Sequence, residues 1–180
     1  MSKFKDQFEK ETVKKLMERL SIKNPMAVPK LLKIVVNESS KDFLVDKKNL
    51  EKAAEDLVLI TGQKAKIARA RISVATFKLR KGDQIGLAVT LRGARMYDFF
   101  EKIVKIVLPR VRDFSGVASQ AFDGRGNLSI GFTESTVFPE IDPGKVDRVR
   151  SLQVTFVTNA GDNEPARALL EEMGMRFKKN

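Results

Sequence analysis

Alternating apolar and polar positions predict five short β-strands in this chain. The clearest is the segment IGLAVTLR at Ile85–Arg92, where large aliphatic residues alternate with glycine, alanine, threonine and arginine. Because successive side chains of a strand point to opposite faces, one face would be apolar and the other shallow and polar. Similar patterns and β-branched residues predict strands at Lys30–Asn37, Lys64–Arg69, Leu128–Phe132 and Ser151–Thr158.

Apolar residues spaced three or four positions apart predict four amphipathic helices. Proline, glycine and capping residues indicate where each helix begins and ends. The predicted helices are Lys3–Leu20, a second that begins at Ser40 or Asp42 and ends before Gly62, a third from Met96 to Pro109, and a fourth that is capped by Asp162 or Asn163, has Pro165 in its first turn and ends at Gly174.

Helices and strands are interspersed along the chain, which is typical of the α+β class. The expected arrangement is a mostly antiparallel sheet with helices packed on one face and the other face open. No internal repeat and no linker rich in serine or glycine interrupts the sequence. Residues 1–180 are therefore expected to form a single domain.

Two residue types are missing, and their absence excludes many functions. The 180 residues contain no cysteine and no histidine. Disulfide frameworks, thiol nucleophiles, zinc sites built on these ligands and serine–histidine catalysis are therefore excluded. We also expect no cofactor. Because no apolar run could span a bilayer, we expect no membrane partner, and because the first residues, MSKFKDQFEKE, are unlike a signal peptide, we expect a cytoplasmic location.

The charge of the chain is strongly unbalanced. Lysine and arginine number 34 against 23 acidic residues, which gives a formal net charge of +11 at pH 7. Such a surplus attracts anionic polymers, of which nucleic acids come first and an acidic membrane surface second. The surplus could also serve solubility alone, but its clustering along the chain favours a bound partner.

The strongest cluster is the stretch KAKIARARISVATFKLRKG at Lys64–Gly82, which carries seven basic residues and no acidic one. Its second part, from Ala70 to Asp83, has no clean periodicity and is predicted to be a long connection. Lysines and arginines at this density favour phosphates, because each contact releases a condensed counterion. Phe77 stands among them and could either stack on a base or pack into a local apolar cluster.

The predicted open face of the sheet is poor in large apolar groups. It would carry Lys33, Val35 and Asn37 from one strand, Thr90 and Arg92 from another, and Gln153 and Thr155 from a third. Such a face could simply meet water. The alternative is a docking surface for an RNA helix that is recognised by its shape and backbone.

Evidence for an enzyme is weak. The segment FDGRGN lacks the strand, third glycine and helix of a dinucleotide loop, and is predicted to be a turn in which Asp123 and Asn127 bond the local backbone. A metal-dependent nucleic-acid enzyme, using some of the acids Asp113, Asp123, Glu134, Glu140 and Asp142, is the second hypothesis. A membrane-surface or protein-interaction module is the third, although the chain lacks the expected basic helix studded with large apolar residues.

Six motifs in a fixed order extend this interpretation. They are ITGQKA, FKLRKGDQIGLAVTLRGARMYDF, LPRVRDFSG, FDGRGNLSIG, FPEID and MGMRFKK. From Asn24 to Lys179 the chain resembles the bacterial large-subunit ribosomal protein number five, the family that binds 5S rRNA. The resemblance implies a non-enzymatic component of the central protuberance of the ribosome.

The resemblance also implies which residues meet RNA. The expected 5S rRNA contacts are Asn37, Gln63, Lys64, Lys66, Thr90 and Arg92. The connection would project toward transfer RNA in the peptidyl site, with contacts from Arg71, Phe77, Lys78, Arg80 and Lys81. Other implied partners are 23S rRNA and neighbouring ribosomal proteins, among them a protein of the small-subunit head that would be met near PRVRDFSG.

The chain departs from the pattern of that family in three segments. Glu38 follows Asn37 where a glycine-bearing stretch is usual, and it is expected to place a negative charge beside the RNA face. Ala75 and Thr76 replace a small flexible pair, which would stiffen the connection. Ser115 stands where arginine is more usual, so one possible phosphate contact is missing.

Overall fold

The computed structural model describes residues 11–112, 114–145 and 148–178, apart from the side chains of Val45 and Lys145. Helix α1 (Val13–Arg19) is the described part of the first predicted helix. The remainder of that prediction, before residue 11, lies outside the described residues. Within the described ranges, no helix is long and apolar enough to cross a membrane.

Five strands form one antiparallel sheet. They are β1 (Leu31–Ser39), β2 (Lys66–Arg69), β3 (Gln84–Leu91), β4 (Leu128–Phe132) and β5 (Leu152–Thr158). Their order is β2-β3-β1-β5-β4, so β2 and β4 lie at the edges. The predicted strands and the α+β class are confirmed. They could be predicted because the apolar side chains of a strand alternate wherever one face of its sheet is buried.

Within the described residues, five further α-helical segments follow α1. They are α2 (Asp42–Val45), α3 (Lys47–Thr61), α4 (Gly93–Lys102), α5 (Leu108–Arg110) and α6 (Asn163–Glu172). A π-helical turn, Ile103–Val107, joins α4 to α5. Asp162, one of the two predicted candidates, is the N-cap residue of α6, but its side chain forms no capping hydrogen bond.

The predicted start of the second helix is wrong. The long helix α3 is capped by Asp46, whose carboxylate accepts a hydrogen bond of 2.9 Å from the backbone amide of Lys48. Ser40 instead accepts from the amide of Asp42, at 3.2 Å, and so precedes the separate short helix α2. Because the two helices are separated by only one residue, their apolar patterns merge in the sequence.

The bounds of the third predicted helix also differ. It begins at Gly93 rather than Met96, and it continues through the π turn to Arg110, past Pro109. Proline lacks an amide hydrogen and therefore weakens the last turn. The helix ends one residue after the proline: Val111 has an extended backbone, and its amide donates a hydrogen bond of 3.2 Å to the carbonyl of Leu108.

The chain divides into two compact units, each described here by itself. The first unit comprises the described parts of Met1–Ile34, Leu91–Ile130 and Thr155–Asn180. In its core the rings of Phe100 and Phe156 meet edge to face with their centroids 5.5 Å apart. The prediction of a single domain stays a prediction.

The second unit comprises the described parts of Val35–Thr90 and Gly131–Val154. One face of α3 is buried in it through Leu50, Ala53, Leu57 and Ile60. The inward side chains of its strands complete the core; they include Val36, Leu87, Val89, Leu152 and Val154. Nearly all the residues predicted to bind RNA belong to this unit.

Candidate nucleic-acid interface

The hairpin of β2 and β3 places basic and small residues on one face. Lys66 lies opposite Ala88 and Ala68 lies opposite Gly86 in the antiparallel register. Directly opposed residues share a face of the sheet, and so does Thr90, two positions beyond Ala88. Lys66 and Thr90 are both exposed, whereas Leu87 and Val89, which point to the opposite face of β3, are buried. The predicted shallow, polar face of this strand is therefore present.

The turn after α3 fixes Gln63 beside this face. Gly62 takes the left-handed conformation, with φ of 66°, which turns the chain out of the helix. The side-chain amide of Gln63 then donates a hydrogen bond of 3.2 Å to the backbone carbonyl of Thr90. Lys64, the next residue, is exposed. The structure thus brings Gln63 and Thr90 together, although 27 positions separate them in sequence.

Strand β1 presents Asn37 to solvent, while Lys33 and Val35 are half-buried. Ile34 and Val36 are fully buried, as the alternation predicts. The expectation for Glu38 is wrong: its side chain is 4% exposed and shares the buried side with Ile34 and Val36. The sequence already indicates this burial: Glu38 is an even number of residues from Ile34 and Val36, and such residues of one strand point to the same face.

The buried side chain of Glu38 belongs to a cluster of charged side chains whose other members are partly exposed. Its Oε1 atom lies 4.0 Å from Nε of Arg150, and the same arginine donates a hydrogen bond of 2.9 Å to Asp56. In the described part of the chain, no donor forms a hydrogen bond with that Glu38 oxygen. Burial raises the pKa of Glu38 to about 7, and the negative charge of Asp56 adds to this effect, whereas Arg150 opposes it. Sequence reasoning missed this cluster because its members come from distant segments.

Gly86 allows β3 to approach the end of β1 closely. A Cβ atom at this position would lie 2.9 Å from the backbone carbonyl oxygen of Glu38. Nearby, the hydroxyl of Ser39 donates a hydrogen bond of 2.8 Å to the carbonyl of Ile85. The backbone that follows Asn37 is therefore held tightly against its neighbour.

The connection between β2 and β3 is organised rather than irregular. At its base, the amide of Ala70 donates to the carbonyl of Asp83 at 2.8 Å, and the amide of Gly82 donates to the carbonyl of Ala70 at 2.9 Å. The Asp83 carboxylate also accepts from the amide of Arg80 at 2.7 Å. We call residues 71–82 the basic loop; it extends the hairpin beyond its last strand pair.

The tip of the basic loop exposes an aromatic ring among cations. A short 3₁₀ turn, Ala75–Phe77, leaves Phe77 62% exposed, so this ring does not pack into an apolar cluster. The Nζ atom of Lys41 lies 5.7 Å from its centroid, within the range of a cation–π contact. The loop side chains of Arg71, Lys78, Arg80 and Lys81 are all exposed or half-exposed. None of the four forms an ion pair with another described residue.

Two other predicted positions lie in the first unit. Arg92 is exposed and is the N-cap residue of α4, directly after β3 in the chain. Ser115 is exposed as well. The RNA-binding role of Arg92 and of the other site residues stays a prediction, and so does the loss of a phosphate contact at Ser115.

The segment FDGRGN forms the predicted turn. The Asp123 carboxylate accepts hydrogen bonds from the amides of Arg125 and Asn127, at 2.8 and 3.0 Å, and from the side chain of Asn127 at 2.6 Å. This last bond lowers the pKa of Asp123. Asp113 lies outside the described residues, and the remaining acids form no cluster of three or more metal-ligating groups within the described ranges.

Comparisons with known proteins agree with the resemblance in sequence motifs. The family model described as ribosomal protein L5 matches residues 24–80, and the model of the C-terminus of the same ribosomal family matches residues 84–177. The chain is 50% identical over 179 residues to the large ribosomal subunit protein uL5 of Thermoanaerobacter sp. (strain X514) and 51% identical to that of Dictyoglomus turgidum. Each alignment covers 99% of this chain and 100% of the relative.

Proposed function

Because the chain belongs to the ribosomal protein L5 family, a structural and non-enzymatic family of the large ribosomal subunit, we propose that its open sheet face binds 5S rRNA. The proposed contacts are Asn37, Gln63, Lys64, Lys66, Thr90 and Arg92. The observation that carries this proposal is the shared face of Lys66, Ala88 and Thr90, with Gln63 bonded beside it.

A face of this kind suits a nucleic-acid backbone. Ala68, Gly86 and Ala88 keep it shallow, so a wide RNA groove can approach without steric conflict. The exposed side chains of Lys64 and Lys66 can neutralise phosphates, and the Thr90 hydroxyl can donate to phosphate or 2′-hydroxyl oxygens. Recognition then rests mainly on shape and backbone rather than on base edges.

We propose a second surface for the basic loop, which would approach transfer RNA in the peptidyl site. Its closed base supports a projecting tip, and the exposed ring of Phe77 can stack on a base or sugar. Arg71, Lys78, Arg80 and Lys81 supply positive charge around it. Hydrogen bonds at the base fix the direction of the tip before any RNA is bound.

The remaining partners in this proposal are 23S rRNA, neighbouring ribosomal proteins and a protein of the small-subunit head, which would be met near residues 109–116. Residues 1–180 would act together as a single domain on the ribosome. The family is not enzymatic, so the acids after residue 112 are assigned no catalysis.

Double variants should separate the two proposed surfaces. Lys66→Ala with Thr90→Ala is expected to weaken 5S rRNA binding at least tenfold, because both substitutions remove a contact from the same proposed binding face. The second double variant, Lys78→Ala with Arg80→Ala, should bind 5S rRNA normally but impair steps that depend on transfer RNA. Filter binding between ~50 and ~200 mM salt measures the first effect, and wild-type affinity should fall by about two to three orders of magnitude over that range.

A matched control is Lys14→Ala with Lys15→Ala, which removes the same charge as the loop variant from exposed positions of α1. Circular dichroism would confirm that every variant is folded. If the loop and control variants lost as much 5S rRNA affinity as the face variant, or more, the division would be refuted, because the loss would then follow the number of positive charges removed rather than their position. A flat salt response of the wild type would refute RNA backbone binding itself.

A further inference from the structure

A buried carboxylate lies directly behind the strand that presents Asn37. Glu38 is the next residue, and its side chain leaves the opposite face of β1 and enters the core of the second unit. One of its oxygens has no hydrogen-bond partner in the described part of the chain. A buried ionised oxygen without a donor is costly, so a neutral Glu38 fits this site better than a charged one.

The charges that surround Glu38 leave it short of positive partners. Arg150, just before β5, and Asp56, on α3, are the groups whose charges act on it. Arg150 is shared, and its hydrogen bond goes to Asp56 at 2.9 Å whereas its contact with Glu38 is 4.0 Å. Lys52 and Glu55, also on α3, act on Asp56. With Glu38 ionised, one guanidinium therefore faces two carboxylates; with Glu38 protonated, the cluster is balanced.

The end of β1 has little room to adjust to this charge. Gly86 approaches the Glu38 carbonyl so closely that no side chain fits between the strands. The Ser39 hydroxyl is bonded to the carbonyl of Ile85 at 2.8 Å. Water can therefore reach an ionised Glu38 carboxylate only if the strand pairing next to Asn37 loosens.

We propose that Glu38 is a positioning residue for RNA binding: its protonated form keeps Asn37 in place on the open face, and its ionisation loosens that end of β1. The inference rests on the proposed 5S rRNA function. It makes RNA affinity fall as pH rises through neutrality. By linkage, RNA binding must then be accompanied by proton uptake.

The composition makes this dependence measurable. The chain has no histidine and no cysteine, the side chains that ordinarily titrate close to neutral pH. The N-terminal amine can also titrate near pH 8, but it is common to all variants and cancels in a comparison. Burial places the pKa of Glu38 at about 7, in the middle of the testable range.

The test compares wild type, Glu38→Gln and Glu51→Gln in 5S rRNA filter binding from pH 6 to pH 8 at constant salt. Glu51 is exposed on α3, so its variant removes the same charge without touching the cluster. We expect wild type and Glu51→Gln to lose about three- to tenfold in affinity as pH rises, whereas Glu38→Gln stays constant. Wild-type calorimetry at pH 7 in buffers of different ionisation enthalpy should detect the linked proton uptake.

A second readout needs no RNA. Hydrogen exchange of the amides at residues 37–39 in the free protein should show protection that falls with pH in the wild type and not in Glu38→Gln. Equal pH profiles for all three proteins, or absent proton uptake, would overturn the inference while leaving the proposed function intact. Wild-type protein that binds 5S rRNA weakly and without salt dependence would overturn the proposed function, and the inference with it.

Discussion

Gly86 and Gly131 both lie in strands, yet they differ in the space around them. A Cβ atom on Gly86 would come within 2.9 Å of a backbone oxygen, whereas one on Gly131 would meet nothing within 4 Å. Backbone atoms cannot swing aside as a flexible side chain can, so the strands around Gly86 would have to separate. The requirement for glycine therefore comes from close packing at Gly86 and is absent at Gly131.

Substitution of Gly86 by alanine should thus destabilise the protein by about 1–3 kcal/mol, the usual range for overpacking. Urea unfolding followed by circular dichroism measures this change. Gly131→Ala is the matched control and should lie within ~0.5 kcal/mol of wild type or be slightly stabilising, because alanine loses less backbone entropy on folding. Similar costs for both variants would mean that strand propensity, rather than contact with the Glu38 carbonyl, governs Gly86.

Helix α3 offers a test of where a helix begins. Its N-cap is Asp46, so Asp46→Ala should lower the free energy of unfolding by about 1 kcal/mol. Ser40→Ala removes the equivalent bond before the four-residue α2 and should cost clearly less, since few residues depend on it. Thermal or urea unfolding of the two variants decides the matter. A larger loss of unfolding free energy for Ser40→Ala than for Asp46→Ala would mean that the helix effectively begins near Ser40, as the sequence predicts.

The strands were the elements most readily predicted from the sequence. Alternation in Ile85–Arg92 reflects the buried face of β3 itself, so pattern and structure have the same cause. The helix bounds were less accurate because a one-residue break at Asp46 leaves the apolar spacing intact. Pro109 lies in the first turn of the short segment α5, directly after the π turn, and a missing amide hydrogen is tolerated in a first turn.

The candidate site could be predicted only in part, for reasons that concern the whole molecule. Exposed cations and the shallow face of β3 follow from local sequence. The burial of Glu38 also follows from it, because Glu38 and Val36 are two residues apart on one strand and therefore share a face. The bond from Gln63 to Thr90 depends on how α3 meets the sheet. The pairing of Arg150 with Asp56 likewise joins segments that are 94 residues apart, and no local pattern encodes it.

The contribution of Glu38 to the free energy of unfolding should fall as pH rises. The folded pKa of Glu38, about 7, lies above its ordinary value of 4.5, so the folded state binds this proton more tightly than the unfolded state. The stabilisation is complete below pH 4.5 and is lost as pH rises through 7. Glu38→Gln should therefore be more stable than wild type at pH 8, on the order of 2 kcal/mol, and similar to it at pH 5.

Urea unfolding of both proteins at pH 5, 6, 7 and 8 provides the measurement, with Glu51→Gln as the control for loss of one negative charge. A difference between Glu38→Gln and wild type that does not change with pH would show that folding does not raise the pKa of Glu38. Parallel curves for all three proteins would give the same answer.

The position of β2 at the sheet edge has a consequence for the chain before it meets RNA. Its outer backbone groups are unpaired within the sheet order, and edges of this kind invite another copy to add a strand and aggregate. The exposed cations Lys66 and Arg69 oppose such pairing through charge repulsion, and the register shift between Ala68 and Arg69 interrupts the regular edge. The same cations would therefore reduce self-association of newly made protein until a nucleic acid binds to them.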